Sequence, residues 1–260
     1  MSRPDPNGST PLDIGRIILG EKIYGFFVKT IARTGVMAKI LMVAANFNLS
    51  IVHITNSMPA RLGAPASFIV FYDFSNTKVT PEEVKEAMER AVDNTQVEVI
   101  KPQLKGVIVD MKHHPLLFMG ERAVVFRETV LKGWLVKIRE KFGTGGEAFL
   151  FYEGFEAGIA VYDSYSRMGV RGRSLWDMLS LVMLSAGFLS KMKVEMGLSI
   201  VVKAWDNIEC SMVKDSGKCF SQWFRGMLTG FASRYLRKNV QVVETMCIAK
   251  GDPFCKFEIK

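Results

Sequence analysis

The sequence predicts an α+β protein of two domains, in which helices pack on antiparallel sheets. Its 260 residues suit two ordinary domains, and a hydrophobic fraction of 48% supplies material for two cores. Between residues 22 and 101 strand and helix patterns follow the order βαββαβ, whereas from residue 121 to 260 long apolar helices precede short strands. We therefore predict a flexible arm at 1–21, domains at 22–101 and 121–260, and a connector at 102–120.

The first domain is predicted element by element from its side-chain pattern. A β-branched and aromatic strand at Gly25–Ile31 leads through a turn at Gly35 into a helix, whose apolar residues recur at helical spacing from Val36. Two further strands follow, at Ser50–Thr55 and at Phe68–Phe74, where apolar residues dominate.

A second helix begins at Thr80, where three helix-start signals coincide. Thr80 can cap the helix, Pro81 fits its first position, and Glu83 completes a capping box. A strand at Val97–Ile100 closes the domain. The order βαββαβ indicates a ferredoxin-like sandwich of two helices on one antiparallel sheet.

The segment Arg33–Ile40, running on to Asn48–Ile51, resembles the ACT regulatory domain. The resemblance implies that subunits pair sheet to sheet as a homodimer. It also implies a small-molecule site at Thr34, Gly35 and Val36. Alternatively, Gly35 only satisfies the geometry of the turn, and the domain serves for pairing alone.

The second domain is predicted to be largely helical, with helices from Phe126, from Glu147, from Ser174 and after Cys219. Strands are predicted around 192–206 and at the C-terminal end. The helices are rich in aromatic residues and methionine, which taken singly are typical of a core and together are able to line an apolar cavity. The candidate pocket residues are Tyr152, Phe155, Trp176 and Trp223.

All four cysteines fall in the last part of the chain, at Cys210, Cys219, Cys247 and Cys255. Cys247 and Cys255 are equidistant from Gly251, so a hairpin centred there sets them opposite each other, with Cβ atoms about 4.5–5.5 Å apart. That separation suits two thiolates on one zinc and also a disulfide, which the expected cytoplasmic setting disfavours. Packing of buried thiols is the third alternative, and spacing alone does not choose among them.

Three C-terminal segments, Gly226–Phe231, Val243–Cys247 and Gly251–Phe257, resemble the 4-vinyl reductase domain, which would extend over roughly residues 120–260. This family includes sensory domains of phenol- and xylene-responsive transcription activators, archaeal stand-alone proteins and an accessory protein of chlorophyll synthesis. The resemblance implies one structural zinc per chain beside a buried pocket for an aromatic ligand. Carried onto this chain, the metal ligands are Cys219, Glu244, Cys247 and Cys255, with Cys210 as the substitute for Cys219. Glu244 and Cys247 face opposite sides of a regular strand, so a bulge near Thr245 is needed for both to reach one ion.

The charge and hydropathy of the chain limit the classes of binding partner that we expect. The net charge of +8 permits attraction to nucleic acid, but the basic residues are spread along the chain. No run approaches the roughly 18 apolar residues of a membrane helix, and no signal-peptide core follows the start. We therefore expect a cytoplasmic protein without a membrane partner.

The motifs of common enzymes are missing from the sequence, which has no nucleotide-binding motif, nucleophile elbow or His–carboxylate constellation. We therefore expect a non-enzymatic sensor of small apolar or aromatic molecules that acts in transcriptional or metabolic regulation. Two alternatives remain: a regulator that binds DNA or the transcription machinery directly, and an accessory protein of tetrapyrrole metabolism.

Overall fold

The computed structural model describes residues 10–57, 61–213 and 215–260. The chain divides into two compact units, Met1–Val124 and Val125–Lys260. Both are mixed α/β structures with antiparallel sheets, as predicted. In the described ranges no helix has the length and apolarity needed to cross a membrane.

The elements of the first unit are β1 (Ile17–Leu19), β2 (Ile23–Ile31), α1 (Val36–Asn46), β3 (Ser50–Asn56), β4 (Pro65–Asp73), α2 (Pro81–Ala91), β5 (Gln96–Ile100), β6 (Val107–Val109), β7 (Leu117–Phe118) and β8 (Glu121–Arg122). After the single strand β1, the elements from β2 to β5 follow the order βαββαβ. Strands β2 to β5 form one antiparallel sheet in the order β3-β4-β2-β5. The predicted capping box is present, because Thr80 Oγ1 accepts from Glu83 N at 3.3 Å and Glu83 Oε2 accepts from Thr80 N at 2.7 Å.

The sheet of the first unit is covered on both faces. Helices α1 and α2 bury one face, where Ile40 and Val84 pack with the strands. A ribbon of β1 paired with β6 covers the other face, where Ile18 and Ile108 pack against Phe71.

This ribbon differs from the sequence prediction, which assigns β1 to a flexible arm at 1–21 and β6 to a connector at 102–120. Both strands are ordered because they supply apolar residues that the sheet needs on its second face. Residues 1–9 of the predicted arm lie outside the described residues.

The second unit packs helices against a four-stranded antiparallel sheet in the order β11-β12-β10-β9. Its first helix contains a π-helical segment, Gly133–Lys137, between α3 and α4. The elements are α3 (Glu128–Lys132), α4 (Ile138–Phe142), α5 (Thr144–Arg167), α6 (Ser174–Ser185), β9 (Lys191–Met196), β10 (Ile200–Trp205), α7 (Ile208–Ser211), α8 (Gln222–Leu236), β11 (Val242–Met246), a short 3-10 helix (Ile248–Lys250) and β12 (Cys255–Ile259).

Helices α5 and α8 touch backbone to backbone through glycines. A Cβ atom on Gly154 would lie 2.0 Å from the carbonyl oxygen of Trp223, and one on Gly230 would lie 2.0 Å from that of Phe155. Neither position accepts a side chain unless the helices move apart. These glycines therefore allow the close approach of the two helices.

Candidate metal centre

The C-terminal hairpin carries three of the candidate ligands. Glu244 lies on β11, Cys247 directly follows that strand, and Cys255 is the first residue of β12. The register of β11 against β12 shifts between Glu244 and Met246. The irregularity predicted near Thr245 is therefore confirmed, and it allows Glu244 and Cys247 to reach the same point.

Four ligand atoms meet at this hairpin. The Sγ atoms of Cys210, Cys247 and Cys255 and a carboxylate oxygen of Glu244 all lie within 4.8 Å of one another. The three cysteines are completely buried, and the sulfurs of Cys210 and Cys247 are 3.5 Å apart. Sulfurs that bind one tetrahedral zinc at about 2.3 Å are separated by about 3.8 Å. Both the donor set and its spacing fit a zinc ion.

Cys219 does not join this cluster, which corrects the ligand set that the sequence suggested. Its Sγ donates to the backbone oxygen of Glu244 at 3.4 Å, outside the group of ligand atoms. Cys210 takes the fourth place because α7, capped by Asn207, folds back against the hairpin. A helix of four residues is too short to give a periodic pattern, so the sequence did not predict that α7 lies against the hairpin.

The cluster favours one thiolate, on Cys247, and disfavours further negative charge on its neighbours. Burial raises the pKa of Glu244 to about 8, with the neighbouring Cys247 thiolate as the second cause. Hydrogen bonds from Cys210 and Cys255 lower the pKa of Cys247, whereas the pKa of Cys210 is raised because its proton is held in that hydrogen bond and the thiol is buried. A divalent cation would offset the charge that accumulates when these groups lose their protons.

A buried ion pair anchors α7 beside the cluster. Glu209 contacts Arg139 of α4, whose guanidinium stacks 3.8 Å from the ring centroid of Phe220. The carboxylate of Glu209 also accepts hydrogen bonds from the backbone N–H groups of Trp223 and Phe224, each at 2.9 Å. Burial raises the pKa of Glu209, and Arg139 opposes that shift. Glu209 was not predicted from the sequence, because it precedes Cys210 in the short α7 and gives no periodic signal.

The four candidate pocket residues occupy four different environments. Tyr152 is 66% exposed, because it lies on the side of α5 opposite the glycine that faces α8. Trp176 is fully buried in the core, whereas Trp223 is partly buried and stacks on Phe188. Phe155 lines an open cleft of about 390 Å³ together with basic residues at the end of α8. The structure does not arrange the four side chains around one cavity, which corrects the prediction.

Trp176 has a polar atom without a partner. Its ring packs 4.8 Å from Phe231 and 5.8 Å from Tyr235, measured between ring centroids. Its indole Nε1–H is buried and finds no hydrogen-bond acceptor in the described part of the chain. An unpaired buried donor of this kind costs about 1–3 kcal/mol.

A second cavity lies in the first unit, at the turn before α1. It has a volume of about 320 Å³ and is lined partly by Thr34, Val36 and Ser57. Gly35 is the residue before the helix and has a φ of 82°, which favours glycine. Two of the three residues predicted for an effector site, Thr34 and Val36, therefore border an open space.

Comparisons with known proteins find a similarity that includes the second half of the second unit. A model of the 4-vinyl reductase domain matches residues 200–260. The uncharacterized protein MJ0150 of Methanocaldococcus jannaschii is 30% identical over 118 residues, which cover 45% of this chain and 66% of that protein. About a third of the relative thus lies outside the match.

Two solved structures are similar to part of the chain. The phenol-responsive sensory domain of the transcription activator PoxR, solved with phenol, has 16% identity and a TM-score of 0.47 over 55% of this chain and 79% of that one. A vinyl-4-reductase family protein from Methanocaldococcus jannaschii has 16% identity and a TM-score of 0.41 over 53% of this chain and 83% of that one. The stretch that the family model matches, residues 200–260, contains all four groups of the buried cluster.

Proposed function

We propose that this chain is a non-enzymatic sensor of small apolar or aromatic molecules, with a zinc-stabilised 4-vinyl reductase domain and an ACT-like unit that pairs two copies. One observation carries the proposal: the stretch matched by the family model contains a buried cluster of three sulfurs and one carboxylate within 4.8 Å. The proposed ligands are Cys210, Glu244, Cys247 and Cys255.

The proposed zinc has a structural role. Four protein ligands fill a tetrahedral site and leave no position for water, so the ion supplies folding energy rather than a reactive oxygen. Cys210 belongs to α7, Glu244 to β11 and Cys255 to β12, so three separate elements converge on the site. Binding one ion at these residues would hold the closing hairpin against α7.

The proposed ligand binds near Trp176. The unpaired Nε1–H of Trp176 is a donor in an aromatic surrounding that includes Phe231 and Tyr235. Tyr165 also contacts Phe231, and burial raises the pKa of its phenol to about 12. An apolar molecule with one hydroxyl or carbonyl oxygen suits such a site, because its oxygen would accept the indole hydrogen bond. Entry requires the core around Trp176 to open.

The proposed pairing of subunits uses the edge of the first sheet. Stacking of two sheets face to face is disfavoured, because the ribbon of β1 and β6 already covers the face opposite the helices. Strand β3 is an edge of the sheet, and Ile51 and Val52 on it are exposed. Antiparallel addition of β3 to its copy would pair the open backbone edge and bury these side chains.

A second candidate function concerns the cavity at Thr34 and Val36. Its position beside the turn at Gly35 favours binding of a small effector by the ACT-like unit. Such a molecule would regulate the protein from the first unit, independently of a ligand near Trp176.

Native mass spectrometry of protein purified without chelator tests the proposal as a whole. We expect a dimer mass that includes one zinc per chain, and release of any retained small molecule on gentle activation. A metal-free monomer, with all four thiols reactive while the fold persists, would contradict both the zinc and the pairing.

A further inference from the structure

Ser221 occupies the N-cap position of α8, yet its hydroxyl does not cap the helix. Serine at this position usually accepts a hydrogen bond from the second or third N–H of the helix. Here those two groups, on Trp223 and Phe224, donate to the carboxylate of Glu209 instead. The hydroxyl of Ser221 is thus available for another partner.

That partner is Glu244. The Ser221 hydroxyl donates to Glu244 Oε1 at 2.7 Å, and the Ser221 backbone N–H donates to Glu244 Oε2 at 3.1 Å. One residue therefore holds both oxygens of the carboxylate, which fixes the rotation of the Glu244 side chain. Ser221 is only 1% exposed, so water does not compete for these contacts.

Asn207 determines the direction of the Ser221 hydroxyl. Its Oδ1 accepts from the backbone N–H of Glu209 at 3.1 Å, so its Nδ2 is the group that faces Ser221, and it donates to Oγ at 3.2 Å. A hydroxyl has one proton and two lone pairs. With a lone pair occupied by Asn207, the shortest contact open to the Ser221 proton is Glu244 Oε1 at 2.7 Å. The sulfurs of Cys210 and Cys255 lie farther from the hydroxyl oxygen, at 2.8 Å and 3.9 Å.

We infer that Ser221 is a positioning residue of the metal centre: with Asn207 behind it, it orients the carboxylate of Glu244 toward the three sulfurs. The inference rests on the proposed zinc site and adds a residue that does not itself bind the ion. Partners of this kind, which hydrogen-bond to a metal ligand, typically change metal affinity by about 10–100-fold when they are removed.

The test measures Zn²⁺ affinity of the full chain by competition with a chromophoric chelator, and the visible absorption of the Co²⁺-substituted protein. Ser221→Ala is expected to weaken Zn²⁺ binding about 10–100-fold and to change the Co²⁺ bands, because the Glu244 oxygen loses its fixed orientation. Ser221→Thr keeps the hydroxyl and should restore both. Ser221→Gly suits the N-cap position and keeps the backbone N–H, so it is the second variant to use if Ser221→Ala folds poorly. We expect Ser221→Gly to weaken Zn²⁺ binding about as much as alanine does.

A double-mutant cycle separates positioning from a general structural role. If Ser221 acts through Glu244, replacing Ser221 by alanine in the Glu244→Ala background, where no side-chain oxygen remains to be oriented, should cost little further affinity. Ser211→Ala is the matched control, because Ser211 follows Cys210 and its hydroxyl donates to Ile208 O within α7 rather than to any group of the cluster. Ser221→Ala binding as tightly as wild type, or an equal loss in both backgrounds, would overturn the inference and leave the zinc site intact. A wild-type chain that takes up neither ion would overturn the zinc site as well.

Discussion

The sulfur of Cys210 lies 3.5 Å from the sulfur of Cys247, although 37 positions separate the two residues in the chain. This contact changes which cysteine mutation should remove the metal. We predict that Cys210→Ser lowers zinc content well below one per chain, whereas Cys219→Ser leaves it unchanged. Elemental analysis of the two purified variants decides, and the ligand set implied by the family resemblance, with Cys219 in place of Cys210, predicts the reverse.

Loss of the metal should loosen the whole closing hairpin. Cys247→Ser and Cys255→Ser remove central sulfur ligands, and we expect each to cost several kcal/mol, or about 10 °C in melting temperature. Glu244→Gln should cost less, since its amide oxygen remains a weak ligand. Differential scanning calorimetry with and without chelator measures these effects. If chelator shifts the wild type no more than it shifts Cys247→Ser, the metal does not stabilise the fold.

The pH dependence of the metal-free protein should report on Glu244. Its pKa is raised to about 8 from an ordinary 4.5, so the folded form holds a proton that the unfolded form has released. The resulting stability is present below the lower value and is lost as pH rises through the upper one. We predict a falling melting temperature between roughly pH 5 and pH 8, which flattens in Glu244→Gln but persists in Glu258→Gln.

The glycine contacts between α5 and α8 predict a contrast between two alanine substitutions. Gly154→Ala places a methyl group 2.0 Å from the Trp223 carbonyl oxygen, so we expect a loss of more than about 3 kcal/mol. Gly145→Ala, in the same helix, has open space around the added methyl and should be neutral or slightly stabilising. Urea unfolding of both variants provides the comparison, and equal stabilities would show that the helices separate at little cost.

Ligand binding near Trp176 should depend on its indole N–H. A panel of phenols, indoles and fatty acids should contain compounds that raise the melting temperature of the wild type through linkage. Trp176→Phe retains an aromatic ring but lacks the donor, and it should lose most of that shift for compounds with a hydroxyl or carbonyl. A panel without any shift would count against a sensor, and equal shifts in both proteins would place the ligand elsewhere.

Features that depend on residues close together in the chain were predicted from the sequence. The capping box of Thr80 and Glu83 and the irregular strand at Thr245 involve neighbours in the chain, and both are present. Partners fixed by tertiary folding were not predictable in the same way. Cys210 reaches the hairpin on a four-residue helix, and Glu209 meets Arg139 across 70 positions, so neither contact leaves a periodic pattern.

The ribbon of β1 and β6 sets the smallest fragment of the first unit that should fold alone. A protein cut to residues 22–101 would retain every element of the βαββαβ order but would expose Ile69 and Phe71, which are fully buried in the intact chain. Such an apolar patch on a sheet favours aggregation. A fragment that ends near Val124 keeps the ribbon of β1 and β6 over this face of the sheet and should remain in solution. The boundaries of a fragment that folds alone are therefore set by which sheet faces are buried, and not by the βαββαβ order.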